Sequence, residues 1–250
     1  MGIQTSVSEG IAEVVIDVPP VNAPNVAHWY EIADAMSSFG RSDDARVVVL
    51  RAEGRGFCAG IDIKEVQQLP GNEGILGVNR GCFTAFNAIY DCPVPVVCAV
   101  HGFCLGGGIG LAGSSDVIVA YDDAYFGLPE VDRGALGGGT HLARLLPQHM
   151  VRAMFFTGEN ATAAQLHHFG SVWRVVSRDE LRDTAFEVAR TIAAKHPKVI
   201  RAAKEALNGI DPVRPHNSYR YEQGFTFEMT LDGVGDELRE DFVGRGDSKS

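Results

Sequence analysis

The stretch His101-Gly102-Phe103-Cys104-Leu105-Gly106-Gly107-Gly108-Ile109-Gly110-Leu111 decides how the rest of the chain is read. An apolar run at residues 94–100 precedes it and a second, at 116–120, follows. The order implied is buried strand, glycine-rich turn, short helix, buried strand. Three consecutive glycines let a ligand lie against bare backbone, and the first turn of the helix leaves N–H groups without intrahelical acceptors. Such a turn suits a developing negative charge. On spacing alone, a tight strand-to-helix turn that holds no ligand is an equal reading.

Working outward, residues 11–18 are β-rich and stop at Pro19-Pro20. Apolar residues then recur every three or four positions over 25–39, which predicts an amphipathic helix with Asn25 as N-cap and Gly40 as its stop. Residues 46–51 return as a buried strand and lead into a glycine-bearing loop, with Asp62 placed to cap a short helix. Residues 71–77 read as a flexible loop and 78–90 as a helix. Beyond the strand at 116–120, an extended piece at 124–127 runs into a second glycine-rich segment at 128–139. Helices are expected at 140–146, 148–157 and 163–169, the last capped by Thr162, and a strand at 172–176. From Asp179 the pattern is almost continuously helical, at 180–195, 199–210, 216–231 and 237–243. The expectation is a mixed α/β core over residues 1–195 and a helical region over 196–250.

The chain has 250 residues, 45% of them hydrophobic and 22% charged, enough to bury a full core without requiring a second domain. A formal charge of −10 argues against general affinity for nucleic acid or anionic membrane, so any basic pocket must be local. Cys58, Cys82, Cys92, Cys98 and Cys104 form an odd set without CxxC spacing. They read as small buried thiols in a reducing cytosol rather than as a disulfide framework or metal ligands. No apolar run reaches membrane-spanning length and the first ten residues lack a signal-peptide pattern, so a cytoplasmic protein is expected. Gly2 with Ser6 fits a myristoylation pattern superficially; the start of a first strand is preferred.

Three segments in this order carry a resemblance: Gly56-Phe57-Cys58-Ala59-Gly60-Ile61-Asp62-Ile63-Lys64-Glu65, residues 95–108 with the glycine triplet, and Phe126-Gly127-Leu128-Pro129-Glu130. Together they resemble the crotonase (enoyl-CoA hydratase/isomerase) superfamily, over essentially the whole chain. The resemblance implies an α/β fold, a spiral of ββα turns whose C-terminal helical region mediates trimers that often pair into hexamers. It implies an acyl-CoA thioester as ligand, with coenzyme A part of the substrate and no separate cofactor or metal. By position, the N–H groups of Ile61 and Gly107 form an oxyanion hole, each donor being worth about 3 kcal/mol toward an enolate-like oxygen. Phe57, Ala59, Gly60, Asp62, Ile63 and Lys64 border the adenine end of the thioester, and Gly106 adjoins the hole.

Family hydratases carry two glutamates, one two residues after the glycine triplet and one in the Pro-Glu motif. Here the first position is Gly110, and loss of a positioned acid/base group costs about 10²–10⁴ in rate. Glu130 keeps the second position; it reads as a general acid/base within the motif, or more simply as a capping carboxylate after Pro129. A single glutamate is also the pattern of family isomerases. The aspartate that some family hydrolases and dehalogenases place eight residues beyond this glutamate is replaced by Gly138. Asp132, Arg133 and His141 are candidate substrate-binding residues, with Tyr221 and Glu222 nearby in role; a solvated helix start and a structural hydrogen bond explain them equally well. Gly110, between Ile109 and Leu111, is expected to open volume for a bulky substrate.

Residues 102–120, 126–137 and 218–228 further resemble an actinobacterial crotonase subgroup that acts late in cholesterol catabolism. That resemblance implies hydrolysis of a carbon–carbon bond, a retro-Claisen ring opening in a bicyclic β-dicarbonyl CoA thioester left from the steroid rings. An enoyl-CoA hydratase or isomerase working with Glu130 alone is the alternative, and a non-catalytic acyl-CoA-binding member is another.

Overall fold

The computed structural model describes residues 1–247. Nine strands form, at Gly2–Ser8 (β1), Ile11–Asp17 (β2), Val47–Ala52 (β3), Val96–Val100 (β4), Phe103–Leu105 (β5), Val117–Tyr121 (β6), Tyr125–Gly127 (β7), Ala161–Thr162 (β8) and Arg174–Val176 (β9). Six make one sheet in the order β1-β2-β3-β4-β6-β9, parallel except for the β1–β2 hairpin. The other three make a small sheet, β5-β7-β8. The helices are Val26–Arg41 (α1), Ile63–Gln68 (α2), Glu73–Tyr90 (α3), Gly107–Ser114 (α4), Gly139–Leu142 (α5), Gln148–Thr157 (α6), Ala163–His168 (α7), Leu181–Ala193 (α8), Pro197–Ile210 (α9), Pro215–Leu231 (α10) and Val234–Asp247 (α11). Each step along the large sheet adds a strand to it, and two of these steps also add a strand to the small sheet before a helix returns. This is the repeated strand–strand–helix turn of a spiral.

The strands of the large sheet are apolar at nearly every position because both faces are covered. Val48, Leu50, Cys98 and Val100 point into the main core beneath α1 and α3, whereas Val47, Val49, Val97 and Ala99 meet Leu181, Ala185 and Ala189 of α8. Asn25, Asp62 and Thr162 cap their helices as expected, each accepting from the backbone N–H three residues on. All five cysteines are free and buried.

Three expectations are corrected. Residues 73–77 belong to α3 rather than to a loop, and the glycines that suggested a loop do something else. A side chain at Gly74 would collide with the Val66 backbone of α2, at Gly77 it would crowd Val26 at 3.2 Å, and at Gly81 it would crowd Trp29 at 3.0 Å. The three glycines form a groove that lets α1 and α2 lie close to α3. Within the opening stretch, Phe103–Leu105 is a strand and not part of the turn, because it pairs with β7. The helix expected at 140–146 is also shorter, ending at Leu142.

Candidate active site

The loop at residues 57–61 is stitched to β5: the Cys58 N–H donates to Phe103 O at 3.1 Å and the Leu105 N–H donates to Cys58 O at 2.9 Å. Gly60 then takes φ +105, a conformation that suits glycine, and its Cα faces Gly106 and Gly107. Ile61 therefore follows directly beside Gly107, the first residue of α4, whose N–H has no acceptor inside the helix. A side chain on Gly107 would stand 2.7 Å from the Trp29 ring, so the close approach of that ring requires glycine here.

The parallel register of β5 with β7 sets Leu105 opposite Gly127, and the Gly106 N–H donates to Gly127 O at 3.0 Å. The 3₁₀ turn Pro129–Arg133 leaves β7 from that point and carries Glu130 back over the glycines. A Cβ on Gly106 would come within 2.7 Å of Glu130 Oε1. Strand pairing thus fixes the separation between carboxylate and N–H groups. Glu130 Oε2 is shielded from solvent and has no hydrogen-bond partner. Burial pushes the Glu130 carboxyl up to about 8; the charge of Glu222 adds to that, while a backbone hydrogen bond and Arg133 oppose it.

Glu130, Gly106, Gly107, Ala59, Gly60, Ile61, Asp62, Ile63, Lys64 and Arg133 all line one cavity of about 710 Å³. That volume is large enough for a bulky acyl group. Further wall comes from the segment after β2, from α3 through Val78, Asn79, Cys82 and Phe86, from residues 135–138, and from the C-terminal helices through Tyr219, Thr226, Arg239, Phe242 and Val243. The wall is mostly apolar.

Four of the residues expected at the site stand elsewhere. Phe57 is fully buried in the core and its N–H donates to His101 O. Asp132 is exposed, on the far side of its turn beside Gly158. Gly110 does not open space: a Cβ there would overlap the Phe86 ring, which already occupies that volume. His141 is fully buried, with its ring centroid 4.9 Å from that of Phe86 and 4.8 Å from that of Tyr219. Neither of its ring nitrogens has a partner, and burial lowers it to about 3, so it is a neutral packing element. Where a second carboxylate would project, this chain has an aromatic wall of Trp29, Phe86, His141 and Tyr219.

Glu222 is half-buried and does not line the cavity; its carboxylate accepts from the N–H of Gly139 at 2.8 Å, from the N–H of Thr140 at 2.5 Å and from the Thr140 hydroxyl. Thr226, one turn further along α10, accepts from the Leu136 N–H and donates to its carbonyl oxygen. These two residues hold the second glycine-rich segment in place. Tyr221 points to solvent. Tyr219, Gln223 and Thr226 are buried at i, i+4, i+7 spacing, a pattern legible in the sequence that would have marked this face of α10 as the one against the site.

A family model described as enoyl-CoA hydratase/isomerase matches residues 6–230. A Rhodococcus jostii protein named "(7aS)-7a-methyl-1,5-dioxo-2,3,5,6,7,7a-hexahydro-1H-indene-carboxyl-CoA hydrolase" is 60% identical over 251 residues, covering 100% of this chain and 97% of its own. A Mycobacterium tuberculosis protein of the same name is 60% identical over 96% of this chain and 97% of its own. The crystal structure of an enoyl-CoA hydratase from Mycobacterium avium subsp. paratuberculosis K-10 superposes with a TM-score of 0.86 at 25% identity, covering 98% of this chain and 96% of that one. The glycine turn facing a Pro-Glu carboxylate, the spiral that brings them together and these matches along the whole chain agree: the chain belongs to the enoyl-CoA hydratase/isomerase, or crotonase, family.

Proposed function

We propose that this chain is an acyl-CoA hydrolase that opens a ring of a bicyclic β-dicarbonyl CoA thioester in steroid degradation, by cleaving a carbon–carbon bond. The observation that carries the reading is the pairing of one solvent-shielded, unpartnered carboxylate, Glu130, with glycine backbone, and an aromatic ring where a hydratase would need a second carboxylate. The full-length relatives that are 60% identical supply the substrate class.

In the skeleton of that substrate, the ketone at position 1 is bonded to the quaternary bridgehead carbon 7a. Glu130 takes a proton from water, and the oxygen adds to the ketone carbon. The bond from that carbon to the bridgehead breaks; its electron pair passes into the conjugated thioester, whose oxygen is held by the N–H groups of Ile61 and Gly107. Glu130 then returns its proton to carbon, and the former ketone leaves as a carboxylic acid that ionises. Water is the only co-reactant. A carboxyl group titrating near the working pH suits both halves of this proton shuttle. Two backbone donors aimed at the enolate oxygen supply about 3 kcal/mol each.

Lys64, Asp62 and the neighbouring backbone border the coenzyme A portion, and the helices within residues 196–247 roof the cavity and serve assembly. The chain acts in the cytoplasm as a homotrimer or hexamer. The exposed apolar side chains Phe156, Trp173, Leu207, Ile210 and Leu231 support assembly. Among the described residues, no helix is long and apolar enough to cross a membrane.

Assaying crotonyl-CoA hydration, 3-enoyl-CoA isomerisation and hydrolysis of the bicyclic diketone thioester side by side tests the function. Turnover of the diketone thioester, lost in Glu130→Gln, is expected. Efficient hydration of crotonyl-CoA with no ring opening would overturn it.

A further inference from the structure

The reaction just proposed leaves two charged side chains of the cavity wall, Arg133 and Arg239, without a part in it. Arg239 projects from α11, is only 2% exposed, and lines the same cavity as Glu130, Ile61 and Gly107. Its Nη2 donates to Asp236 at 2.6 Å. Its Nε and Nη1 are shielded from solvent and have no hydrogen-bond partner. A guanidinium keeps its charge under all ordinary conditions, and a shielded charge with unused donors is costly unless an acceptor arrives.

The helix that carries Arg239 is seated on the turn that carries Glu130. Gly134 ends that turn at φ +61, where a Cβ would stand 2.7 Å from Gly235 Cα. Arg133 of the same turn stacks its guanidinium on the Phe242 ring, 3.7 Å from the centroid. The result is a cationic corner beside the reacting carboxylate, walled by Phe242, Val243 and Leu136.

Ring opening changes the charge of the ligand. The ketone is neutral before the carbon–carbon bond breaks, and the carboxylate made from its carbonyl carbon and the oxygen of water is an anion. Resting on the hydrolase reading, we infer that Arg239 receives this carboxylate through the guanidinium donors that Asp236 leaves unused. It is a specificity-determining residue that distinguishes diketone thioesters, which generate an acid inside the cavity, from straight-chain enoyl thioesters, which do not. Its pull strengthens as charge develops on the ketone oxygen, so it favours the cleaved state over the intact ring.

Calorimetric titration of three ligands tests this: the ring-opened thioester acid, its carboxylate methyl ester and coenzyme A itself. The wild-type protein should bind the acid at least about tenfold more tightly than the ester. Arg239→Met should bring acid and ester within about twofold of each other and leave coenzyme A affinity unchanged. Arg239→Lys, which keeps charge without the planar fork, should retain part of the preference, and it serves if the Met variant does not fold. Equal weakening of all three ligands in Arg239→Met would assign the guanidinium to a coenzyme A phosphate and overturn the inference. So would an acid preference that survives the substitution. Failure of the wild-type protein to open the bicyclic thioester would instead remove the hydrolase reading itself.

Discussion

Glu130 lies within the second glycine-rich segment and Glu222 fastens that segment from α10; both are half-buried, and burial raises the carboxyl pKa of each. They differ in their donors. Glu222 is saturated by two backbone N–H groups and a hydroxyl, whereas Glu130 lines the cavity and has an oxygen with no hydrogen-bond partner. Saturation turns a buried carboxylate into a fastener; shielding without donors leaves its lone pairs for a substrate. The same contrast separates Gly107 from Gly110 on one short helix: the first bares an N–H beside the cavity, the second makes room for Phe86.

The largest effect should come from Glu130→Gln, which removes the base while keeping the shape. Turnover of the diketone thioester should fall by about 10²–10⁴-fold with little change in urea-denaturation midpoint. Next in size is Gly110→Glu, which installs the second carboxylate of a hydratase. Because Phe86 fills that space, the variant should lose about 3 kcal/mol of stability in urea denaturation and gain no crotonyl-CoA hydration. Brisk hydration by a stable Gly110→Glu protein would break the contrast between the two glycines.

Glu222→Gln should act mainly on the fold, since an amide nitrogen would face backbone donors; a stability loss of about 1–3 kcal/mol is expected. It should also move the pH profile. In the proposed role of water-activating base Glu130 must be ionised, so kcat/KM should rise with pH through about 8 and level off above it. Removing the neighbouring negative charge should shift that midpoint downward. An unmoved midpoint would separate the two carboxylates electrically.

The smallest effect concerns His141. Its folded pKa of about 3 lies below the ordinary 6.5, so the neutral form is the one the fold accepts. Its contribution to stability is fully present above 6.5 and is lost as pH falls from there toward 3. A His141→Phe variant should show a flatter decline of melting temperature across that range; an unchanged decline would contradict the neutral, packed state.

The glycine triplet, the capped loop at residues 57–64 and the Pro-Glu pair could be read from the chain because their chemistry is local: backbone N–H groups and a carboxylate a few residues from a turn. The glycines of α3 misled because a glycine marks either a bend or a close approach, and only packing against Val66, Val26 and Trp29 separates the two. Phe86 and Arg239 reach the cavity from elements far apart in sequence, and nothing in their own neighbourhoods announces it; Tyr219 is marked only by the spacing of its buried neighbours on α10. His141 and Asp132 looked functional because they are polar and near the motif. The turn that carries Glu130 points Asp132 away, and the aromatic wall encloses His141.

In the proposed reaction one carboxylate and two backbone donors break a carbon–carbon bond with water. Turning over the bicyclic diketone thioester in water labelled with oxygen-18 tests it most directly, with mass spectrometry of the products. The expected product is a ring-opened thioester that still carries coenzyme A, with one labelled oxygen in the new carboxylate. Free coenzyme A with label in the acid released from it, or an intact bicycle that has merely gained water, would contradict it.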